Sequence, residues 1–423
     1  MPQSLRVLLL SWRDAGHPEG GGAESFLERV AVGLREYGYP VTVRCAHYAG
    51  AVADEVVHGV RFVRRGGRFT VYPRAVAALV RHRKDYDVVI DVQNGLPFWA
   101  PLATRVPVLN VTHHVHREQW PMVFGRLLGR VGWWLESRVA PRVYRRCRYV
   151  TVSQSTRDDL VSVGVEADRI RVVYSGIDPP ARPPAADAWP RSATPNLVVL
   201  GRLVPHKRVE LAIRTVADLR PEHPDLTLTV IGQGYWEDSL RHYAESLGVA
   251  GAVRFAGFVD NVTKHQLLAA AWVHLLPSVK EGWGLAVVES AAHGTLTVAF
   301  RSAGGTAESI RDGVTGVLVD DAGGSIAAVR RLLSDHRLRD GLGAAARVHA
   351  AKFTWQAVVD VVAAELCAAT GLPVPAPEPV VLLPTPRQPQ SQSQSQSQPT
   401  VAVGDQRRSA GVVGDQGLLH RRG

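Results

Sequence analysis

The chain has 423 residues, of which 46% are hydrophobic, and a formal charge of +10 at pH 7. That length suggests two or three domains with substantial cores, while the lack of any run of about 18 uncharged apolar residues excludes a bilayer span. The basic charge comes with no nucleic-acid-binding motif, and Cys45, Cys147 and Cys367 are odd in number, far apart and without metal spacing, which points to a reducing compartment without a disulfide framework.

In chain order, residues 5–11 are too short for a signal-peptide core, and Arg6–Ser11 reads as a first strand. It leads into Gly20-Gly21-Gly22-Ala23-Glu24, a glycine turn opening a helical pattern over Ala23–Tyr37, and lacks the G-x-G-x-x-G spacing of a dinucleotide site. Val41–Cys45, Val88–Val92, Val106–Thr112, Tyr149–Ser153 and Ile170–Tyr174 are the next strand candidates. Arg61–Lys84 holds eight basic residues and no acid, and Arg126–Arg148 holds seven against Glu136. Within the second segment a helix is expected over Leu127–Arg146, with Trp133 and Trp134 beside Arg138, Arg142, Arg145 and Arg146. Two arrangements fit it: a helix lying on an anionic membrane, or a solvated basic face over buried tryptophans.

Val111-Thr112-His113-His114-Val115-His116 ends a strand. Three histidines suggest zinc, but alternation puts His114 and His116 on one face and His113 on the other, with no Cys or carboxylate nearby in sequence, so no metal is expected. Pro179–Pro195 breaks the pattern as a linker. Alternation resumes with strands at Leu197–Gly201, Leu226–Gly232, Val253–Gly257, Trp272–Leu276, Thr297–Phe300 and Val317–Val319. β-branched strands alternating with helices predict an α/β protein made of two tandem Rossmann-like, doubly wound domains with a cleft at their strand ends. The expected division is 1–178, a linker 179–195, a second domain 196–352, a final helix within 353–370, and a disordered Pro/Gln/Ser-rich tail 371–423.

Chemistry concentrates in 278–294. Glu281 and Glu289 stand eight residues apart around Gly282 and Gly284, after a buried strand and before a helix. Unpaired amides at a helix start bind anions, and carboxylates accept hydroxyl groups, so a ligand with sugars on both sides of a phosphate fits. Gly201-Arg202-Leu203-Val204-Pro205-His206-Lys207 follows the second domain's first strand and offers a guanidinium and an ammonium to one diphosphate. Lys207 is one of five lysines among 44 arginines, which favours a selected role. Arg202 and Lys207 sit in a polar loop, so replacing either is expected to lower turnover far more than it unfolds the chain.

Pro277-Ser278 with Glu281 through Glu289 resembles, without gaps, the signature of glycosyltransferase family 4, whose retaining enzymes have the two-domain GT-B architecture. The resemblance covers roughly residues 5–370 and implies these roles. Glu281 binds donor-sugar hydroxyls and Glu289, beside Leu285, binds the ribose. Arg202 and Lys207, after Gly201, stabilise the leaving diphosphate. Gly21 and Gly22 lie near the donor phosphates, as does the Gly304–Glu308 loop. Gly232, Gly234 and Gly257 line the base pocket, and His113, or next to it His114, faces the donor sugar. The final helix crosses back onto the first domain, and that domain binds the acceptor.

The implied reaction is retaining, metal-independent transfer of a hexose-type sugar from a UDP- or GDP-linked donor, with no cofactor. No Asp-x-Asp pair occurs, Asp158-Asp159 and Asp320-Asp321 being adjacent pairs. The acceptor is a glycan, a lipid-linked molecule or a small molecule. The alternatives are a nucleotide-sugar epimerase of the same fold and a catalytically silent nucleotide-sugar-binding protein. Nucleic acid is not an expected partner. A cytoplasmic location is expected, with peripheral attachment at the inner face of the membrane.

Overall fold

The computed structural model describes residues 4–178 and 189–373. Residues 179–188 of the expected linker, and the expected tail from 374 onward, lie outside the described residues. Two sheets organise the rest. The first comprises β1 (Val7–Leu10), β2 (Val41–Cys45), β3 (Asp54–Val57), β4 (Val60–Arg64), β5 (Val88–Gln93), β6 (Val108–Thr112), β7 (Arg148–Thr151) and β8 (Ile170–Val172), in the order β3-β4-β2-β1-β5-β6-β7-β8. The second comprises β9 (Asn196–Leu200), β10 (Thr227–Ile231), β11 (Val253–Gly257), β12 (Val273–Leu276), β13 (Thr297–Phe300) and β14 (Gly316–Val319), in the order β11-β10-β9-β12-β13-β14.

Every neighbouring pair is parallel except β3–β4. Parallel strands are covered on both faces, which is why Val7–Leu10, Val88–Gln93, Val273–Leu276 and Thr297–Phe300 are largely apolar and buried throughout, with Asp91, Gln93 and His274 among the buried polar exceptions. The β3–β4 hairpin was not among the expected strands. It turns at His58 and Gly59, both at positive φ, the backbone of a two-residue hairpin loop.

The strand order reverses between β1 and β5 in one sheet and between β9 and β12 in the other. Doubly wound sheets bind ligands outside such switch points, where the loops leaving adjacent strands part in opposite directions. Three of the glycine-bearing segments singled out above leave β1, β9 and β12.

Helix α1 (Gly22–Glu36) starts at the first of these loops. The 119–143 region departs from the expected single helix over Leu127–Arg146. α2 (Gln119–Trp134) is broken at Gly125, with φ 71° and ψ −179°, and continues through a π-helical turn at Leu135–Val139 and a short helix at Ala140–Val143. α3 (Gln154–Ser162) is capped by the Ser153 hydroxyl, which accepts from the Thr156 amide. α4 (Asn261–Ala270), α5 (Leu285–Ala291) and α6 (Thr306–Ser309) belong to the second sheet. The last helix, α7 (Trp355–Thr370), packs on the first sheet's core: Val359 lies against Gly33 of α1, leaving no room there for a Cβ. Its buried Glu365 accepts from Arg148 and Arg171, at 2.5 and 3.0 Å. Gly371, at φ 73°, ends it.

Candidate active site

The loops after β1, β9 and β12 meet in one place. Gly21 caps α1, and its amide donates to Glu24 at 2.8 Å. Glu24 is buried and also accepts from Arg13 at 3.1 Å. Seen from the second sheet, a Cβ on Gly21 would stand 3.7 Å from Arg202 Nε, and one on Gly22 would stand 3.3 Å from the Leu285 side chain. The helix start expected to meet an anion is therefore faced by the expected cation. Further contacts join the same edges: Gln233 donates to the Pro18 carbonyl at 3.3 Å, and Gly282 lies so close to the His113 carbonyl that any Cβ would collide.

Gly201, Gly232 and Gly257 end β9, β10 and β11 with positive φ and are stitched by backbone hydrogen bonds. The Gly201 amide donates to Ile231 at 3.0 Å and the Gly232 amide to Gly257 at 2.8 Å. Gly234 backs onto the Leu203 carbonyl. This ladder fixes the loop carrying Arg202 and Lys207. Gly284, at φ 84°, starts α5 in a left-handed conformation that few other residues adopt, and so turns the chain from Glu281 into the helix.

Lys207 Nζ lies 2.5 Å from Glu281 Oε1, the two side chains being 19% and 13% exposed. Burial works against ionising Glu281, but the Lys207 ammonium outweighs it and holds the carboxyl below its usual range. Lys207 is thus bound into a mostly buried ion pair rather than standing free in a polar loop, so its replacement is expected to cost stability as well as turnover. Arg202 is exposed and forms no ion pair among the described residues. Glu289 is not free either: Lys264 on α4 reaches it at 2.6 Å. Burial works to discharge Lys264, and the Glu289 carboxylate overcomes it and raises the lysine's pKa.

Lys264 was missed from sequence, as was Lys280, which pairs with Asp159 of α3 at 2.8 Å. The argument used for Lys207, lysine rarity in an arginine-rich chain, applies to both. Glu308 on α6 lies in the loop whose resemblance implies nearness to the donor phosphates, and its carboxylate reads equally as a ligand or as a helix-start group. It accepts from the amides of Gln154 and Ser155, both at 2.7 Å, and so caps the first turn of α3 in the other sheet's layer.

His113 and His114 separate as alternation requires. His113 sits edge-on to Phe26 of α1, and burial pushes its pKa down to about 4. His114 stacks near His116, ring centroids 4.0 Å apart, and burial holds it well below its ordinary value. A carboxylate does stand beside these histidines: buried Glu136 lies 3.1 Å from His116 Nδ1, while Asn94 holds its Nε2 at 3.0 Å. Glu136 also accepts from Trp120 Nε1 at 2.6 Å. No group of three or more His, Cys, Asp or Glu converges among the described residues.

Two doubly wound sheets facing each other through the loops of their switch points form the GT-B architecture, and paired lysine–carboxylate groups stand at those loops. Comparison with known proteins agrees. Residues 189–349 match the family described as Glycosyl transferases group 1, and residues 20–180 match Glycosyltransferase Family 4. The chain is 30% identical over 362 residues to a GDP-mannose-dependent alpha-(1-6)-phosphatidylinositol monomannoside mannosyltransferase of Mycolicibacterium smegmatis, covering 80% of this chain and 92% of that protein. It is 37% identical over 224 residues to a glycogen synthase of Mycobacterium tuberculosis, a match that takes in 52% of this chain and about half (54%) of that relative's length. The structure of a sucrose-phosphate synthase from Thermosynechococcus elongatus aligns with a TM-score of 0.74 at 20% identity, over 86% of this chain and all of the other. The chain belongs to glycosyltransferase family 4.

Proposed function

We propose that this glycosyltransferase moves a hexose-type sugar from a UDP- or GDP-linked donor to a hydroxyl acceptor, with retention at the anomeric carbon and without a metal ion. The observation that carries the reading is the convergence of Arg202, Lys207 and Glu281 with the Gly21–Gly22 helix start. In it the diphosphate lies between the first amides of α1 and the Arg202–Lys207 loop. As the bond to the anomeric carbon breaks, negative charge grows on the leaving phosphate oxygens, and these fixed positive groups stabilise it. Glu281 accepts from donor-sugar hydroxyls and, being charge-paired with Lys207, stays ionised. Glu289 accepts from the ribose hydroxyls. His113, neutral at physiological pH because its pKa is about 4, offers a hydrogen bond to the sugar without adding charge. Gly232, Gly234 and Gly257 shape the base pocket through their backbone.

The mannosyltransferase relative makes GDP-mannose the first donor to try, and a glycan or lipid-linked molecule the first acceptor class. The reaction is placed in the cytoplasm, where nucleotide sugars are available. The purified protein incubated with UDP- and GDP-linked sugars and a cell extract, read by mass spectrometry, is expected to give a sugar-bearing product and free nucleoside diphosphate. No turnover of any donor, including slow hydrolysis, overturns the reading. Donor converted alone to another nucleotide sugar identifies an epimerase, and binding without turnover a silent binder.

A further inference from the structure

Helix α2 doubles back on itself. Gly125 takes φ 71°, a value that glycine tolerates at little cost, and the chain on either side of it folds into a hairpin. Its two arms touch at Gly129 and Gly132, where a Cβ would run into Pro121 at 2.9 Å and into the Trp120 ring. The base is held firmly: Trp120 donates to Glu136, and His116 bridges Glu136 to Asn94. Those anchors sit at the carboxyl ends of β5 and β6, the end of the sheet that carries His113.

The outside of the hairpin is apolar and bare. Leu127 is 77% exposed and Leu128 64%, with Met122, Val123, Val131 and Trp134 each at least half exposed. Leu127, Val131 and Trp134 recur at i, i+4 and i+7, one helical face. Phe69, 68% exposed, stands beside it, linked through Arg68, whose guanidinium lies 5.6 Å from the Phe69 ring and 5.9 Å from that of Phe124. Arg126 and Arg130 are exposed on the same hairpin, and no acidic residue occurs between Gln119 and Leu135. A monomer that leaves so many large apolar groups together has a partner for them.

We propose that the α2 hairpin, with Phe69 beside it, inserts into the interfacial layer of an anionic lipid bilayer. Apolar side chains rimmed by arginine without acids match that layer: the side chains enter the acyl boundary and the guanidiniums meet lipid phosphates. A second copy docked on this face by two-fold symmetry would set arginine against arginine. The inserting surface is thus the hairpin rather than the Arg138–Arg146 stretch that the sequence suggests. Attachment here brings the His113 end of the sheet to headgroup level. The consequence that a lipid-linked acceptor is presented there rests on the transferase reading, but vesicle binding is measured without turnover, so either can fail alone.

The test is cosedimentation of the full chain with vesicles of phosphatidylcholine alone or mixed with phosphatidylglycerol, at low and high salt. Binding is expected to the anionic vesicles and to weaken with salt. The pair Leu127→Ser/Leu128→Ser is expected to lower partitioning on the order of tenfold. Both side chains are exposed, so its thermal unfolding should match wild type. Arg126→Gln/Arg130→Gln should flatten the salt response, whereas Arg145→Gln/Arg146→Gln should bind as wild type does. Absence of binding, or undiminished binding by the leucine pair, overturns the proposal. So does dependence on Arg145 and Arg146 alone, or a dimer in sedimentation velocity that the leucine pair abolishes.

Discussion

Replacing Lys207 by alanine tests the candidate site against its own packing. The ammonium touches Glu281 at 2.5 Å, and the two side chains are 19% and 13% exposed. Removing one member of a fully buried pair costs about 3–5 kcal/mol, because a charge is left unpaired away from water. The water that reaches these groups reduces this to roughly 1–3 kcal/mol of stability. Loss of one well-placed cation at a developing oxyanion costs a further 10²–10³ in rate, or about 3–4 kcal/mol of barrier. Lys207→Ala is therefore expected to lose both stability and turnover.

Two companion variants separate the effects. Arg202→Ala removes an exposed side chain without an ion pair, so turnover should fall while the unfolding midpoint stays. Lys207→Ala/Glu281→Gln removes the stranded charge, so stability should return while turnover does not. The pH response adds a sign. In the wild type the carboxyl is held below its usual range, so this pair's stabilisation is present at neutral pH and lost as acid protonates Glu281. Without the ammonium, the main cause that opposes burial is gone and only smaller ones remain, so burial raises the carboxyl and Lys207→Ala should instead gain stability, relative to wild type, between pH 7 and 5. Melting curves and donor turnover per folded molecule check all of this. A Lys207→Ala protein with wild-type melting, or an Arg202→Ala enzyme with wild-type turnover, would refute the reasoning.

Glu289→Ala should weaken nucleoside diphosphate binding by calorimetry and lower the melting temperature, since it strands Lys264; adding Lys264→Met should recover the melting temperature alone. Turnover should survive EDTA, and activity lost to EDTA but restored by manganese or magnesium would contradict the metal-free diphosphate site. Glu308→Ala removes the acceptor for two α3 amides and should cost about 1–2 kcal/mol locally, read as faster hydrogen exchange at Gln154 and Ser155; unchanged exchange would mean that the cap is not maintained in solution. His274 is fully buried on β12, and burial pushes its pKa down to about 3. Its folded state excludes the proton that the unfolded chain takes up below pH about 6.5, so stability should fall toward acid by up to about 1.4 kcal/mol per pH unit. His274→Gln should flatten that slope by the same amount, and an unchanged slope would rule the residue out as its source.

The sheets were legible because parallel strands buried on both faces are mostly apolar, as Val7–Leu10 and Thr297–Phe300 are. The β3–β4 hairpin was not, since its edge strand Asp54–Val57 has no buried residue and carries no such run. The 119–143 region misled in another way. The expected helix, Leu127–Arg146, began beyond Gly125, so it missed the arm from Gln119 that folds back at that glycine and the π-helical turn at Leu135–Val139. A glycine inside a helical pattern is often tolerated, so composition alone gave no sign of the reversal.

At the site, the residue types were legible and their partners were not. Each carboxylate was assigned to a ligand, yet in the structure each is held by a lysine from another element: Glu281 by Lys207 and Glu289 by Lys264. Those pairs join positions 74 and 25 residues apart in sequence, a distance across which periodicity carries no information. Lysine rarity did carry it. Of the five lysines, Lys207, Lys264 and Lys280 stand in ion pairs no more than about one-third exposed, around the loops and helices of the cleft. The same three pairs give the site a mechanical property. Lys280–Asp159, with Glu308 capping α3, ties the loops after β12 and β13 to the first sheet's layer, so the carboxylate-bearing loop is clamped against the His113 strand end. In the proposed donor mode, Arg202, without an ion pair among the described residues, is left for the diphosphate, while Glu281 and Glu289 are already charge-paired and held in position. The free energy of ordering them is then met in folding rather than in each catalytic cycle.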